Sequence, residues 1–576
     1  MAVEEQAIDT SSTQSAPAAK PPVDREAMRR AKNKLTDDGR LATLNELGDE
    51  RATLTRNERL KIEKPAPRVW DDVVNRYATQ GYAAIDEDDM ERFKWIGWYQ
   101  QRPKEGYFMM RLKIAAGQVS NAQLRVISDM ARDYGRGVAD ITTRQTFQMH
   151  WLTIEQAPDI MDRLGTVGLG VKEGLFGACG DICRNIVSSP LAGYEAEELI
   201  NVHDFAVEAN QYFSSNPEYA DLPRKFKVGI FGHRNGGQLE INCLSFYGTR
   251  RANGEIGYGL MAGGGLSTEP HIAQDMKVFV KPEQAMEVME AITKTYRDHG
   301  YRKNRKHARL KYLIADWGID AFRLKVEEYL GWKMTDAEPS TERTRGYEDK
   351  LGVFAQIQDG LSIIGVTVVA GRLTSDQMDS IADIAQQYGS GDIRLTVMQN
   401  FLIPNVKNAY VDRVLEALSN IGLPVEVSAF RKGVVACTGI EFCNLAVVET
   451  KARAKTIVDL LDGGVKWNES EFFRVNVNGC PNSCGQHWIA DIGLQGCTKK
   501  IDGQLVEHFD VFLGGGLGDH DSGAARFNKR VKRITAEEVP TAINKVIESF
   551  RAQRQGEETF TDFCARHSEE ELAEIL

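Results

Sequence analysis

Between Tyr107 and Leu164 the apolar positions change period several times. They alternate over Tyr107–Ile114, recur at helical spacing over Asn121–Tyr134, alternate again on both sides of Gln145, and return to helical spacing over Ala157–Leu164. The predicted order is strand, helix, two strands, helix, which suits a ferredoxin-like α+β unit.

The same pattern occurs twice. Residues 106–169 align without gaps to 360–423 at a constant offset of 254, pairing Gly117 with Gly371, Gln123 with Gln377, Tyr134 with Tyr388, Gln145 with Gln399 and Gly168 with Gly422. Shorter echoes follow in order: ACGDICRN (178–185) with ACTGIEFCN (436–444), FKVGIFG (226–232) with FRVNVNG (473–479), and MAGGGLS (261–267) with FLGGGLG (512–518). Duplication of a unit this long predicts a pseudo-twofold α+β protein: two ferredoxin-like units, each followed by a larger α/β segment, around a central cleft able to take one large cofactor. The expected division is an N-terminal extension (1–65), a ferredoxin-like unit (66–172), a first larger segment (173–345), a second ferredoxin-like unit (346–426) and a second larger segment (427–576).

Composition narrows the class. At 576 residues, 42% hydrophobic and 27% charged, the chain is an ordinary globular protein of several domains. No apolar run approaches the ~20 residues that cross a bilayer. The first 22 residues are rich in Ser, Thr, Ala and Pro and are expected to be disordered; they lack an apolar signal core, and Glu4, Glu5 and Asp9 argue against a transit peptide. A cytoplasmic monomer is the expectation. A net charge of −11 argues against nucleic acid as the main partner.

The chemistry concentrates in two cysteine pairs, Cys437 and Cys443 in ACTGIEFCN and Cys480 and Cys484 in NGCPNSCGQ. Four thiolates suit zinc or an iron–sulfur cluster. The five-residue gap between Cys437 and Cys443 exceeds the usual zinc knuckle and favours iron–sulfur. Gly479, Pro481 and Gly485 mark a tight loop around the second pair. A zinc-stapled interaction protein is the non-catalytic alternative.

ACTGIEFC with GCPNSCGQ closely resembles the signature of the siroheme-dependent sulfite and nitrite reductases, and matching blocks run from about Phe93 towards the C-terminus. The resemblance implies the duplicated fold, a [4Fe–4S] cluster on Cys437, Cys443, Cys480 and Cys484, and a siroheme whose iron shares Cys484. It further implies a substrate pocket of Arg111, Arg184, Lys225 and Lys227, and a block near the siroheme carboxylates comprising Thr143, Arg144, Gln145 and Gln148. A cobalamin-pathway protein of the same superfamily is the rival enzyme. Lys225 and Lys227 are spaced to share one face of a strand, with Phe226 on the other.

The substrate signals divide. TTRQTFQ, CGDICRN and the Lys-x-Lys pair read like sulfite reductases, and Tyr99 with Cys179 matches a Tyr–Cys pair that is covalently linked in an actinobacterial sulfite reductase group, although CGDICRN departs from that group's CGDCPR. YGSGDIRLTVMQNFLIPNV and KGVVACTG read like plant and cyanobacterial nitrite reductases. Substrate-facing residues outrank scaffold, so six-electron reduction of sulfite to sulfide is expected, with nitrite to ammonia as the alternative. No dinucleotide fingerprint opens a strand–helix unit, so electrons are expected from a separate protein, ferredoxin in this family. The basic stretch Arg302, Lys303, Arg305, Lys306, Arg309 and Lys311 reads as a solvated helix face, or as a dock for an acidic ferredoxin.

Overall fold

The computed structural model describes residues 55–169, 177–338, 347, 349–464, 472–518 and 524–576. The 22-residue segment expected to be disordered lies outside them. Of the expected N-terminal extension, Arg56–Glu63 is a helix capped by Thr55. It is packed rather than loose: Glu58 binds Arg302 at 2.7 Å, and Lys61 donates to the Leu222 carbonyl at 2.9 Å.

Each ferredoxin-like unit contributes four strands to its own sheet, one to the other unit's sheet, and two helices. In the first, Trp98–Gln100, Phe108–Arg111, Phe147–Leu152 and Val138–Ile141 form an antiparallel sheet, and its fifth strand is Arg372–Thr374 from the other unit. The second sheet runs Gly352–Ala355, Leu361–Val366, Phe401–Lys407, Asp392–Leu395 and closes on Gln118–Ser120 from the first unit. The units thus exchange a short strand each. Helices Asn121–Asp133 and Ser375–Tyr388 pack together between them, and Ser128 Oγ donates to the Ser375 carbonyl at 2.8 Å. One continuous core spans both units, from Val69 to Val425.

The repeat is visible down to single bonds. Ser120 and Thr374 cap their helices in capping boxes with Gln123 and Gln377. Those glutamines donate to the Val167 and Ile421 carbonyls, each at 3.1 Å, again 254 residues apart. Gly117 and Gly371 have φ of 69° and 73°, and a Cβ at either would strike a carbonyl of the opposite unit, Leu395 O at 2.8 Å or Ile141 O at 2.6 Å. The predicted strand Tyr107–Ile114 ends early, at Arg111. Asn185 Oδ1 accepts from Ile114 N and the Ile186 carbonyl from Ala116 N, so tertiary bonds draw the chain off the sheet.

The larger segments also share a topology. In the first, Val187–Ser188, Val228–Phe231 and Leu244–Arg250 are parallel neighbours, and Ile256–Ala262 and Gln274–Asp275 return antiparallel. In the second, Val434–Ala436, Val475–Asn478 and Ile492–Ile501 are parallel, with Gln504–Leu513 and Lys529–Thr535 antiparallel. Among the described residues no helix is long and apolar enough to cross a membrane.

Candidate iron–sulfur centre and cationic pocket

Parallel pairing brings the two cysteine pairs together. Val434–Ala436 and Val475–Asn478 are neighbours in register, so the loops that leave their C-terminal ends, carrying Cys437 and Cys480, emerge side by side. Cys437 N donates to the Val477 carbonyl at 3.0 Å and locks the first loop to the second strand. Gly439 takes φ 74° to turn the chain towards Cys443. At Gly479 a Cβ would meet the Ala446 Cβ at 2.8 Å, so the loop closes only on glycine.

The sulfurs are set among donors. Gly479 N donates to Cys437 Sγ at 3.2 Å, Leu445 N to Cys443 Sγ at 3.4 Å, and Asn482 Nδ2 to Cys480 Sγ at 3.5 Å. Burial, then the charge of Cys484, pushes the Cys437 thiol up to about 12, and burial also raises Cys480. Thiols that disfavour their own ionised forms need a strongly positive guest to hold them as thiolates. Cys437 senses Cys484 and Cys480, and Cys480 senses Cys484 and Cys443, so the four thiols at the ends of neighbouring strands form one group suited to a shared metal centre.

Cys484, the exposed member of the four, opens towards the cations. Its charge is felt by Arg111 and by Lys225, and Thr143 Oγ1 donates to its carbonyl at 3.0 Å. Arg111 donates to Cys179 Sγ at 3.1 Å and to Gln148 Oε1 at 3.0 Å; Gln148 donates onward to Thr438 Oγ1 at 3.0 Å, beside Cys437. Arg184 is held by the Gly180 and Ala178 carbonyls. Arg144 is clamped by Asn242 Oδ1 at 2.7 Å and the Asn185 and Val228 carbonyls at 2.6 and 2.8 Å. The Lys225 and Lys227 ammonium groups have no hydrogen-bond partner among the described residues, and Phe226 between them is fully buried, as the alternation predicts.

Two cations that the sequence did not assign to the pocket, Lys113 and Arg309, join it, and Lys311 lies beside Arg309. Lys113 donates to the Cys183 carbonyl at 3.0 Å. Arg309 and Lys311 come from the basic stretch, only part of which faces solvent: Lys306 is exposed and Lys303 and Arg305 are half-buried. Arg302 is buried on Glu58 and Asp221, Arg305 binds Asp181 at 2.7 Å, and Arg309 and Lys311 are 7% and 1% exposed. Helix Leu310–Trp317 starts inside the protein, so the residues that precede it are carried inward. Arg309 donates to Cys243 Sγ and the Leu266 carbonyl, and Lys311 to the Leu266 carbonyl.

The electrostatics are one-sided. Arg111, Lys113, Arg144, Arg184, Lys225, Lys227 and Arg309 have thiols, amides and carbonyl oxygens for neighbours, and no carboxylate pairs with any of them among the described residues. Burial, then Arg309 and Arg184, draws Lys225 down to about 7; burial brings Lys113 to about 8 and Arg144 to about 10, and Lys227 falls well below its ordinary value. Nε of Arg111, Arg144 and Arg309 is buried without a partner. Such a pocket is complete only around a polyanion.

Gln145 has a different place from the one the resemblance implies. It is fully buried, donates to the Ser188 and Leu395 carbonyls, and accepts from Ser188 N. Gln399 mirrors it, donating to Ile141 O and accepting from Ala436 N. Both are buried bolts across the pseudo-twofold. Tyr99 and Cys179 do come together: burial and the Cys179 charge raise the phenol, and against burial Arg111 and Arg184 hold the thiol below its usual range.

Comparisons with known proteins agree with this geometry. The nitrite and sulphite reductase 4Fe–4S domain matches residues 179–334 and 429–576, and the nitrite/sulfite reductase ferredoxin-like half domain matches 99–167 and 354–421. The chain is 37% identical to sulfite reductase [ferredoxin] 1 of Mycolicibacterium paratuberculosis, over 91% of this chain and 97% of the relative. It is 36% identical to the assimilatory ferredoxin-dependent nitrite reductase of Haloferax mediterranei, over 87% and 90%. The solved structure of the Mycobacterium tuberculosis NirA protein superposes with a TM-score of 0.85 at 36% identity, covering 90% of this chain and 97% of that one. With duplicated half domains, a cysteine centre and near full-length relatives of both kinds, the chain belongs to the nitrite and sulphite reductase family of oxidoreductases.

Proposed function

We propose that this enzyme reduces sulfite to sulfide with six electrons from ferredoxin, using siroheme beside the [4Fe–4S] cluster. One observation carries the reading: seven inward-facing cations, with no carboxylate pairing any of them among the described residues, stand where the exposed Cys484 opens. A tetrapyrrole rich in carboxylates together with a small oxyanion supplies the missing negative charge. Arg144, clamped by Asn242 and Asn185, would bring its charge to the siroheme carboxylates, and Cys484 would be the shared thiolate. When bound, siroheme supplies the metal position for the oxyanion and the path for electrons from the cluster.

The protein residues do the rest. Arg111 and Arg184 are fixed by their contacts and stabilise the oxyanion's charge as its bonds to oxygen weaken. Lys225 and Lys227 are unbonded and movable, and burial has already lowered the cost of giving up their protons, so they suit delivery of protons to departing oxygen. Sulfite is favoured over nitrite by the Lys-x-Lys pair and by Tyr99 in contact with Cys179. Nitrite is the second reading, supported by the nitrite-type blocks around Gln399 and Cys437 and by relatives such as the Synechococcus elongatus ferredoxin–nitrite reductase. The test is an optical spectrum with iron and labile sulfide analysis, then turnover of both anions with reduced ferredoxin. A higher kcat/KM for sulfite is expected; a higher value for nitrite reverses the substrate, and a colourless zinc protein overturns the reading.

A further inference from the structure

Directly behind Cys437 lies a buried charge cluster that the pocket does not use. Helix Lys451–Gly464 begins one residue after Thr450. The Thr450 hydroxyl donates to the Cys437 carbonyl at 2.6 Å and lies 3.9 Å from Cys437 Sγ. The cysteine loop rests on it: a Cβ at Gly439 would come within 2.4 Å of Thr450 Oγ1. Lys451 is therefore anchored against the loop. It is 5% exposed, its ammonium donates to the Ala370 carbonyl and stands 3.6 Å from Asp140, and it senses the charge of Cys437.

Asp140 is already engaged. It is 1% exposed and accepts from Arg372 at 2.9 and 3.3 Å. Two cations thus share one buried carboxylate. Two further groups face them. His150, 3.7 Å from Asp140, is kept below its ordinary pKa chiefly by burial and adds no charge at neutral pH; Glu441 pairs with Arg372 at 3.1 Å where both reach solvent. The set is formally balanced, and Lys451 is its buried cation and the member that senses the Cys437 charge.

Duplication supplies an internal control. At the offset of 254, Asp140 corresponds to Arg394 and Arg372 to Gln118, whose strands pair as Asp140 and Arg372 do. Helix His203–Ser215 stands where helix Lys451–Gly464 does, so a histidine replaces the lysine. The first half folds the same way without the triad. The triad belongs to the half that carries the four cysteines.

We infer that Lys451 is an electrostatic positioning residue for the cluster: its ammonium, half-neutralised by Asp140, stabilises the reduced cluster, which holds one more negative charge than the oxidised one. The step is a single-electron transfer from a reduced one-electron iron–sulfur donor, with the donor oxidised, the cluster reduced and no bond or proton exchanged. The inference rests on the assignment of the cluster to Cys437, Cys443, Cys480 and Cys484.

The test is a redox titration of the holoenzyme, followed by the paramagnetic resonance signal of the reduced cluster, with iron and labile sulfide counted in each preparation. Lys451→Gln is expected to make reduction at least tenfold less favourable, a shift of about 59 mV to more negative potential for one electron. Lys451→Arg is expected to restore the wild-type value, and Asp140→Asn to shift it the opposite way. Equal potentials in wild type and Asp140→Asn, or a downward shift in Asp140→Asn, overturn the inference even if Lys451→Gln does not fold. Unchanged potentials with lowered melting temperatures mean that the triad is only structural. Wild-type enzyme without iron or sulfide would instead sink the cluster assignment.

Discussion

Lys227 offers the sharpest separation of function from stability. Its ammonium has no hydrogen-bond partner among the described residues, and Arg144, Arg309 and Lys225 all raise the cost of its charge. Lys227→Met conserves volume and orphans no partner, so the usual penalty for breaking a buried polar contact is absent. At an effective dielectric of about 20, like charges roughly 8 Å apart repel by about 2 kcal/mol, and three such neighbours oppose this ammonium. Lys227 is half-buried, so solvent screens part of this, and a net gain of about 1–3 kcal/mol is expected for cofactor-free protein. Activity should move the other way. Loss of one charge-assisted contact to an oxyanion costs about 1.5–3 kcal/mol, which is roughly ten- to a hundredfold in kcat/KM. Thermal unfolding of cofactor-free and loaded protein, beside steady-state turnover, reads both effects. A cofactor-free variant that melts lower than wild type would refute the claim that the pocket stores unneutralised charge.

Other outcomes follow from the same geometry. Gln145→Leu and Gln399→Leu should each lower stability by about 2–4 kcal/mol, because each orphans a buried backbone N–H and carbonyl; chemical denaturation of the two should give similar losses. Gly117→Ala and Gly371→Ala should each cost about 1–3 kcal/mol, since both combine a left-handed backbone with a carbonyl under 3 Å from the new methyl, and melting curves should show it. Lys225 and Lys113 titrate near 7 and 8 in the folded pocket and near 10.5 when unfolded, so between those values the unfolded chain binds more protons. The stability of cofactor-free protein should therefore rise with pH from about 7 to 9, and denaturant titrations showing a flat or falling trend would contradict this.

What could be read from the sequence was whatever repeats or clusters locally. The alternation around Gln145 and the helical spacing from Asn121 were sufficient for the ferredoxin-like units, and the constant offset for their pairing. The exchanged strands Gln118–Ser120 and Arg372–Thr374 are three residues each, too short to carry a period, and their partners lie in the other unit. Arg309 and Lys311 looked like surface charge because burial depends on where helix Leu310–Trp317 begins, which no local pattern encodes. Gln145 sits in a motif that resembles a cofactor block, yet its partner carbonyl at Leu395 is 250 residues away. Lys113 carried no signal beyond being a lysine at the end of a strand pattern.

Duplication explains why such a charged pocket is tolerable at all. At the offset of 254, Arg111, Thr143, Arg144 and Gln148 correspond to Gly365, Val397, Met398 and Leu402. The second set is not a spare site. Val397 and Met398 pack with Phe231, Leu239 and Tyr347, and Leu402 packs with Leu191 and Ile363, so the twofold-related place is filled with apolar side chains. A symmetric dimer of units with two cationic pockets would carry the desolvation penalty twice around a single shared core. Here one half gives up its pocket and becomes a rigid wall, bolted to its partner through Gln145, Gln399 and two exchanged strands. Apolar packing in that wall carries no such desolvation cost, so the charge strain is confined to the half where binding demands it. The asymmetry of the pocket is therefore a condition of its existence, and it limits the chain to one such centre.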